Sequence, residues 1–346
     1  MRALSLCGLV LLSLISCIKN TSEPGMTDRS DMTNNFYDNT ETISLSETEL
    51  LIEGEIANPG KVDFSILPIH SVIVKETLLD SVGGDRFVGA YRYDGYSLFD
   101  ILDKRILKKV NSDMFSPIID LFVEIENDIG EKVVFSWGEI YYPNNLHKII
   151  IATSVSRIVP SKTNELWPLP DKSKIVASSD LVTERNISSP VKITVRSLPL
   201  SFTVNRELSP LYSPYIDLFS SSKHVRRIEN VSKSISKETF YTIFYGRGRG
   251  IHSTSPFTGV LLKDLLEKDY PVNKKNLQTG MLCIAAKDGY RCAVSYSELF
   301  NRNDQQEFLL IKGEDAEENG LYRIFAASDF FSDRAMKAVS EIHLGF

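Results

Sequence analysis

The sequence has few of the residues that build disulfide scaffolds or metal clusters. Its 346 residues include only four cysteines and five histidines. Two of the cysteines lie within the first 17 residues, which excludes a disulfide-dense fold. The histidines stand at scattered positions without zinc-site spacing, so we expect no bound metal. The formal net charge of −6 leaves no broad basic surface, which excludes general binding to nucleic acid.

Long apolar runs are also lacking, except at the N-terminus. Residues 3–15 are apolar or small, which is shorter than the roughly 20 residues of a membrane-spanning helix. Arg2 precedes this run and Cys17 follows it, so residues 1–16 are predicted to be a signal peptide. Residues 14–17 (LISC) resemble the bacterial lipobox, which implies that Cys17 is acylated.

A polar segment follows this cysteine. Residues 17–42 are predicted to be the lipidated cysteine and a flexible tether, because they are rich in Asn, Thr, Ser and Asp and have no apolar period. More than one acyl chain on Cys17 would make the anchoring to membrane lipid stable. We therefore expect a lipoprotein of the bacterial cell envelope that faces the periplasm or the cell exterior.

An internal repeat organises the rest of the chain. Residues 95–102 (GYSLFDIL) return as 259–266 (GVLLKDLL), and two further blocks recur in the same order. The sequence therefore predicts a first repeat over 43–199 and a second over 200–346. Aligned pairs in the three blocks include Gly95/Gly259, Asp100/Asp264, Ser136/Ser295, Glu139/Glu298, Asp180/Asp329 and Arg185/Arg334.

The local patterns within each repeat are mixed. The GYSLFDIL and GVLLKDLL segments have helical spacing of apolar residues after a glycine turn. Alternating segments around Asp128 and Asp288 indicate hairpins. Ser136 and Glu139 have the spacing of a helix capping box, and so have Ser295 and Glu298. Each repeat is therefore predicted to be an α+β unit built on a largely antiparallel sheet.

The order of these motifs resembles the molybdopterin-binding domain of the sulfite oxidase type. Residues 51–59 (LIEGEIANP), 259–266 and 286–290 (AKDGY) are similar to its opening strand, its helix and its hairpin. Lys174 and Arg323 stand where the family has a basic residue before an apolar strand. The resemblance implies two tandem, mixed, largely antiparallel sheet units of this type, and molybdopterin as the cofactor.

The same resemblance implies a cysteine that ligates molybdenum, and this sequence lacks it. Tyr245 stands at that position in the second repeat, and residues 71–77 of the first contain no cysteine. Because no other side chain replaces a thiolate in kind, we expect no catalytic residue and no cofactor. The first hypothesis is a non-catalytic protein that binds a small anion or a partner protein. The alternatives are a molybdopterin-dependent oxidoreductase with atypical cofactor ligation and a structural envelope lipoprotein.

A glycine- and arginine-rich segment is the candidate ligand site. Its glycines allow close approach of the backbone to an anion, and its arginines suit phosphate or carboxylate. The alternative is a surface loop whose arginines pair with acidic neighbours. The predicted site consists of Tyr245, Gly246, Arg247, Gly248, Arg249, Gly250 and His252.

Cys283 and Cys292 flank the hairpin of the second repeat, and two pairings are open. If Lys287 and Asp288 form the loop, the cysteines lie opposite each other, and a disulfide can form outside the cytoplasm. If Asp288 and Gly289 form it, the cysteines are out of register and are two small core residues.

Overall fold

The structure is a β-rich fold with several sheets. Strands make up 44% of it and helices 12%. The computed structural model describes residues 41–346 except 161, 162, 164, 249, 255 and 314–319, together with the backbone of His252. The predicted α+β class is therefore wrong. The helical patterns at 95–102 and 259–266 form only the short helices Leu98–Asp103 and Leu262–Leu266. Most of the remaining apolar periodicity belongs to strands. Signal peptide, Cys17 and the tether to residue 40 lie outside the described residues.

Among its described residues, the first half of the chain (up to residue 199) contains ten strands, two α-helices and two short 3₁₀ helices, Phe64–Ile66 and Ile118–Asp120. The helices are α1 (Leu98–Asp103) and α2 (Trp137–Tyr141). The strands are β1 (Thr42–Ser44), β2 (Leu51–Gly54), β3 (Gly60–Lys61), β4 (Ile69–Leu79), β5 (Asp85–Ser97), β6 (Leu121–Asn127), β7 (Lys132–Ser136), β8 (Ile149–Arg157), β9 (Lys174–Ala177) and β10 (Pro190–Ser197).

The second half contains eleven strands, three α-helices and the 3₁₀ helix Ser332–Arg334 among its described residues. The helices are α3 (Leu262–Leu266), α4 (Lys274–Thr279) and α5 (Tyr296–Phe300). None of the helices in the described ranges is long and apolar enough to cross a membrane. The strands are β11 (Ile216–Ser220), β12 (Lys223–Ile228), β13 (Lys237–Phe240), β14 (Ile243–Gly246), β15 (Gly250–Thr254), β16 (Phe257–Leu261), β17 (Met281–Ala286), β18 (Arg291–Ser295), β19 (Phe308–Lys312), β20 (Tyr322–Ala326) and β21 (Val339–Leu344).

Both halves have the same strand order. One sheet runs β3-β2-β10-β6-β7 in the first half and β12-β11-β21-β17-β18 in the second. The other has β4-β5-β8-β9 against β13-β16-β19-β20. In each half the only parallel pairing among these strands joins the first and last strands of the five-stranded sheet, β2 with β10 and β11 with β21. The hairpin β14-β15 forms a small sheet of its own in the second half.

Each half has its own apolar core, and the two cores meet. The core of the first half gathers residues such as Ile52, Val123 and Ile193. The core of the second half also takes in residues of the first, among them Phe115 and Tyr142. The described residues of both predicted repeats accordingly belong to one compact unit.

A buried arginine of the first half holds two carboxylates and reaches a hydroxyl of the second half. Arg185 donates through Nε and Nη2 to the two oxygens of Asp180, at 2.8 and 2.6 Å. Its Nη1 donates to Glu139 Oε1 at 2.7 Å and to Ser295 Oγ at 3.2 Å. The Ser295 hydroxyl donates to Glu139 Oε2 at 3.0 Å. This chain of charge-assisted bonds joins the two halves.

The second half repeats the arrangement with the roles of the halves exchanged. Arg334 donates to the oxygens of Asp329 at 2.8 and 2.6 Å, and to Glu298 Oε1 at 2.5 Å. The Ser136 hydroxyl then donates to Glu298 Oε2 at 2.6 Å. The arginine and carboxylate side chains of both networks are at most 7% exposed. Both networks are therefore cut off from water, and every charge in them depends on its partners.

Both serines in these networks also cap helices, as the sequence predicts, and Glu139 completes a reciprocal capping box with Ser136. Ser136 Oγ accepts the backbone N–H of Glu139 at 2.9 Å, and Glu139 Oε1 accepts the N–H of Ser136 at 3.2 Å. Ser295 Oγ accepts the N–H of Glu298 at 3.1 Å. The caps hold the α2 and α5 N-termini in place, and their remaining donor and acceptor sites face the opposite half.

Loss of one buried arginine is expected to destabilise the whole unit. Arg334→Met leaves Asp329 and Glu298 without their cation, which we expect to lower the free energy of unfolding by about 3–5 kcal/mol. Urea denaturation followed by circular dichroism measures the change. Arg196→Met is the control, because the Arg196 side chain is 52% exposed and its ion pair with Glu124 is 3.6 Å long. Equal stability of the two variants would contradict the role given to the network.

The network also makes stability depend on pH. Burial, opposed by Arg185, raises the pKa of Glu139 from 4.5 to about 7. Between these two values the folded state binds a proton that the unfolded state has released, so the stabilisation is full below pH 4.5 and is lost as the pH rises through 7. We expect wild-type stability to fall by about 2 kcal/mol more than that of Glu139→Gln between pH 5 and 8. Urea melts at four pH values test this, and parallel curves for the two proteins would contradict it.

Candidate functional site

The glycine–arginine loop is the turn of the hairpin β14-β15. Gly246 pairs with Gly250 at its base. Arg247 folds back from the turn: its Nη2 donates to the Tyr142 hydroxyl at 3.1 Å, and its Nε lies 3.6 Å from Asp333 Oδ2. The charge of Arg247 thus has an acidic neighbour.

The described part of the loop has little room for a ligand. The ring of Tyr245 packs against Phe330 and Phe331, with centroids 5.4 and 6.0 Å away. The cavity beside Tyr245 has a volume of about 10 Å³, which is room for about one water molecule. Two predicted features lie outside the described part of the chain, namely Arg249 and the side chain of His252.

The two positions that correspond to the family's molybdenum-ligating cysteine hold other groups. Tyr245 occupies the first, with the ring contacts just given. In the segment 71–77, the buried Glu76 accepts from Lys174 Nζ at 2.7 and 2.9 Å and from the Tyr93 hydroxyl at 3.2 Å. A phenol and a closed ion pair offer no thiolate, so the described residues do not fit a cysteine-ligated molybdenum centre.

The two described cysteines are out of register. Cys283 lies opposite Ala293, and Cys292 lies opposite Ile284. The reason is a turn that includes Gly289, which has φ +81°, so the two side chains point to opposite faces of the sheet. Both thiols are free and buried. The disulfide alternative is therefore contradicted, and the second alternative, two small core residues, describes them.

Both thiols are expected to be unreactive in the folded protein. Burial raises the pKa of Cys292 to about 12 and that of Cys283 well above its usual value, and only the thiolate reacts with alkylating reagents. We expect iodoacetamide to label neither residue in native protein and both after unfolding without reductant. Mass spectrometry of the tryptic peptides measures this. A peptide pair that appears only after reduction would contradict the assignment.

The structure brings together two histidines that the sequence analysis left apart. His70 Nε2 lies 2.8 Å from Asp100 Oδ2, and His147 Nδ1 lies 3.6 Å from the same oxygen. The two imidazoles stack with centroids 3.8 Å apart and an interplanar angle of 7°. Ser97 Oγ donates to Asp100 Oδ2 at 2.5 Å. The three ligand atoms all lie within 4.8 Å of one another.

No spacing in the sequence predicts this cluster. His70 lies at the start of β4, Asp100 in α1, and His147 before β8. They meet because His70 pairs across the sheet with Gly95, which precedes the α1 cap at Ser97 by two residues. The site can be found from the sequence only if this strand register is known.

A larger cavity lies in the second half. It has a volume of about 490 Å³ and is lined by the loop 231–237 and by strands β16 and β19. Buried Val260 and Leu310 form part of its lining, and Lys233, Lys237 and Lys312 also line it. Within the described chain these lysines have no ion-pair partner. The described lining of the cavity thus combines apolar side chains with three lysines.

A third cavity, of about 370 Å³, has charges that neutralise one another. Lys172 Nζ lies 3.1 Å from Asp128 Oδ2, and Lys274 Nζ lies 3.5 Å from Glu131 Oε1. Its cations are therefore already engaged, in contrast to the lysines of the 490 Å³ cavity.

Comparison with known proteins gives no match: no protein-family model matches the chain, and no curated protein matches it. The resemblance to the sulfite oxidase domain accordingly stays a prediction from the residues that carry it.

Proposed function

We propose that this protein is a membrane-anchored, non-catalytic binding protein of the bacterial cell envelope. Its ligand is a small organic anion with an apolar part, bound in the cavity lined by Lys233, Lys237 and Lys312. The observation that carries the proposal is a cavity with an apolar surface that three lysines line, none of which has an ion-pair partner among the described residues. This keeps the small-anion ligand predicted from the sequence and moves it from the arginine loop to this cavity.

Size and charge both support an amphipathic anion. The volume of about 490 Å³ falls in the range of roughly 300–1,000 Å³ that is typical of small-molecule pockets. Aliphatic side chains such as Val260 and Leu310 suit an apolar group, and the lysines suit a carboxylate or phosphate. The chain as a whole has a net charge of −6, whereas the charged residues in the described lining of this cavity are all lysines.

The chemistry of the lining favours binding over catalysis. The residues described around the cavity are lysine, serine, threonine, glycine and aliphatic residues. None of these described side chains is a carboxylate, a histidine or a cysteine, the groups that most often act as general acids, general bases or metal ligands. Membrane attachment through acylated Cys17 belongs to the same proposal and rests on the lipobox-like segment 14–17.

Phenyl phosphate is a suitable probe, because it pairs an anionic group with a ring and stays in water. We expect isothermal titration calorimetry to show one site in the full chain. Lys237→Gln/Lys312→Gln should weaken binding at least about tenfold, because two charge-assisted contacts are removed. The affinity should also fall as salt is raised.

Lys268→Gln/Lys275→Gln is the matched control, since these exposed lysines lie outside the cavity lining and the variant makes the same change in net charge. Equal binding by the two double variants would contradict the proposed site. Benzyl alcohol, which lacks the charge, should bind far more weakly than phenyl phosphate, and comparable binding would contradict the role of the lysines. Stoichiometric molybdenum in the native protein would contradict the non-catalytic function.

A further inference from the structure

We propose that His70, Asp100 and His147 form a binding site for a first-row transition-metal dication of the zinc class. Two imidazole nitrogens and one carboxylate oxygen are the ligand set that such ions accept, and neither a soft thiolate nor an all-oxygen cage is present among these three. With three protein ligands, a fourth position remains for water or for a group on another molecule. The site lies in the first half and shares no residue with the lysine cavity of the second.

The spacing of the ligand atoms suits one ion. A tetrahedral ion with bonds of about 2.0–2.1 Å holds its ligand atoms roughly 3.3 Å apart. His70 Nε2 and Asp100 Oδ2 lie 2.8 Å apart, and His147 Nδ1 lies 3.6 Å from that oxygen. These two separations bracket the required distance, and the two nitrogens lie no more than 4.8 Å apart.

The carboxylate is held in place by its own helix. Asp100 is the third residue of α1, and its backbone N–H donates to Ser97 Oγ at 3.0 Å, while that hydroxyl donates to Asp100 Oδ2 at 2.5 Å. A bond of this kind orients a ligating oxygen before the ion arrives. The Asp100, His70 and His147 side chains are 16%, 22% and 37% exposed, which shields the ligands and leaves the ion a path from solvent.

The imidazoles must rearrange for the ion to enter. An ion binds in the plane of each ring, whereas the two rings lie nearly parallel at 3.8 Å, so their lone pairs do not converge. His147 is the more exposed of the two and lies in the segment before β8, where its backbone N–H bonds to Asn145 Oδ1 at 3.0 Å. Rotation of its side chain breaks the stack and brings Nδ1 to the ion. Loss of the stack is therefore a signature of metal uptake that a purely structural cluster lacks.

The fold does not need these histidines. In the second half Glu238 lies opposite Gly259, as His70 lies opposite Gly95, and Gln306 stands at the position of His147 in the aligned repeat. The same strand order forms there with a glutamate and a glutamine in these places. The two imidazoles are thus a property of the first half alone, which is what a binding role predicts and a packing role does not.

The test is titration of the full chain with Co²⁺ and Zn²⁺ in chelator-free buffer. We expect one Co²⁺ per chain with the intense visible bands of tetrahedral coordination, displacement of Co²⁺ by Zn²⁺, and changed chemical shifts for the ring protons of His70 and His147. His147→Gln, which installs the side chain found at Gln306, should fold normally and weaken Co²⁺ binding at least about tenfold.

His224→Gln is the matched control, because His224 pairs with a single carboxylate, Asp217, at 3.0 Å and belongs to no three-ligand cluster in the described chain. Binding that is unchanged in His147→Gln, or weakened equally in His224→Gln, would overturn the proposal, as would a wild-type chain that takes up neither ion. Phenyl phosphate binding is expected to be the same with and without Zn²⁺, so failure of either site leaves the other result intact.

Discussion

A buried arginine needs carboxylates as partners, and those carboxylates in turn need further hydrogen-bond donors. Arg185 and Arg334 each take an aspartate and a glutamate from their own half of the chain. One oxygen of each glutamate then remains, and the hydroxyl that satisfies it comes from the other half, through Ser295 or Ser136. Neither half can therefore complete its buried charges alone. The relative position of the halves, and with it the position of every surface feature, depends on this exchange of two hydroxyls.

The two halves share these buried networks but differ in the residues that lie outside them. The first half has two imidazoles and a carboxylate beside β4, where the second half has Glu238 and Gln306. The second half has a hairpin that is divided into the pairs β13-β16 and β14-β15, where the first half has the continuous hairpin β4-β5, and it has a lysine-lined cavity. Both proposed sites thus lie in one half each and away from the shared network. A duplicated scaffold allows this because substitutions at the rim leave the buried hydrogen bonds unchanged.

Local chemistry was readable from the sequence, and long-range register was not. Ser136 and Glu139 form the predicted capping box because cap geometry depends on only four consecutive residues. The helical pattern over 95–102 forms a helix only from Leu98 onward, because the residues before it belong to strand β5. Apolar spacing alone does not show which residues pair across a sheet. Whether Cys283 and Cys292 lie opposite each other depends on one residue of turn length, and a shift of one residue places the two side chains on opposite faces. Nothing local to His70 or His147 indicates that strand pairing joins them.

The parallel pairs that close each half have a consequence for how the chain is made. β2 pairs with β10, and β11 pairs with β21, although each pair is separated by nearly the whole half. In both sheets the late strand lies between two earlier ones, β10 between β2 and β6 and β21 between β11 and β17. A nascent chain that lacks the late strand therefore carries two unpaired strand edges at once. Such edges pair readily with other chains, so a cell that makes this protein must keep its growing chains apart until the central strand has been synthesised.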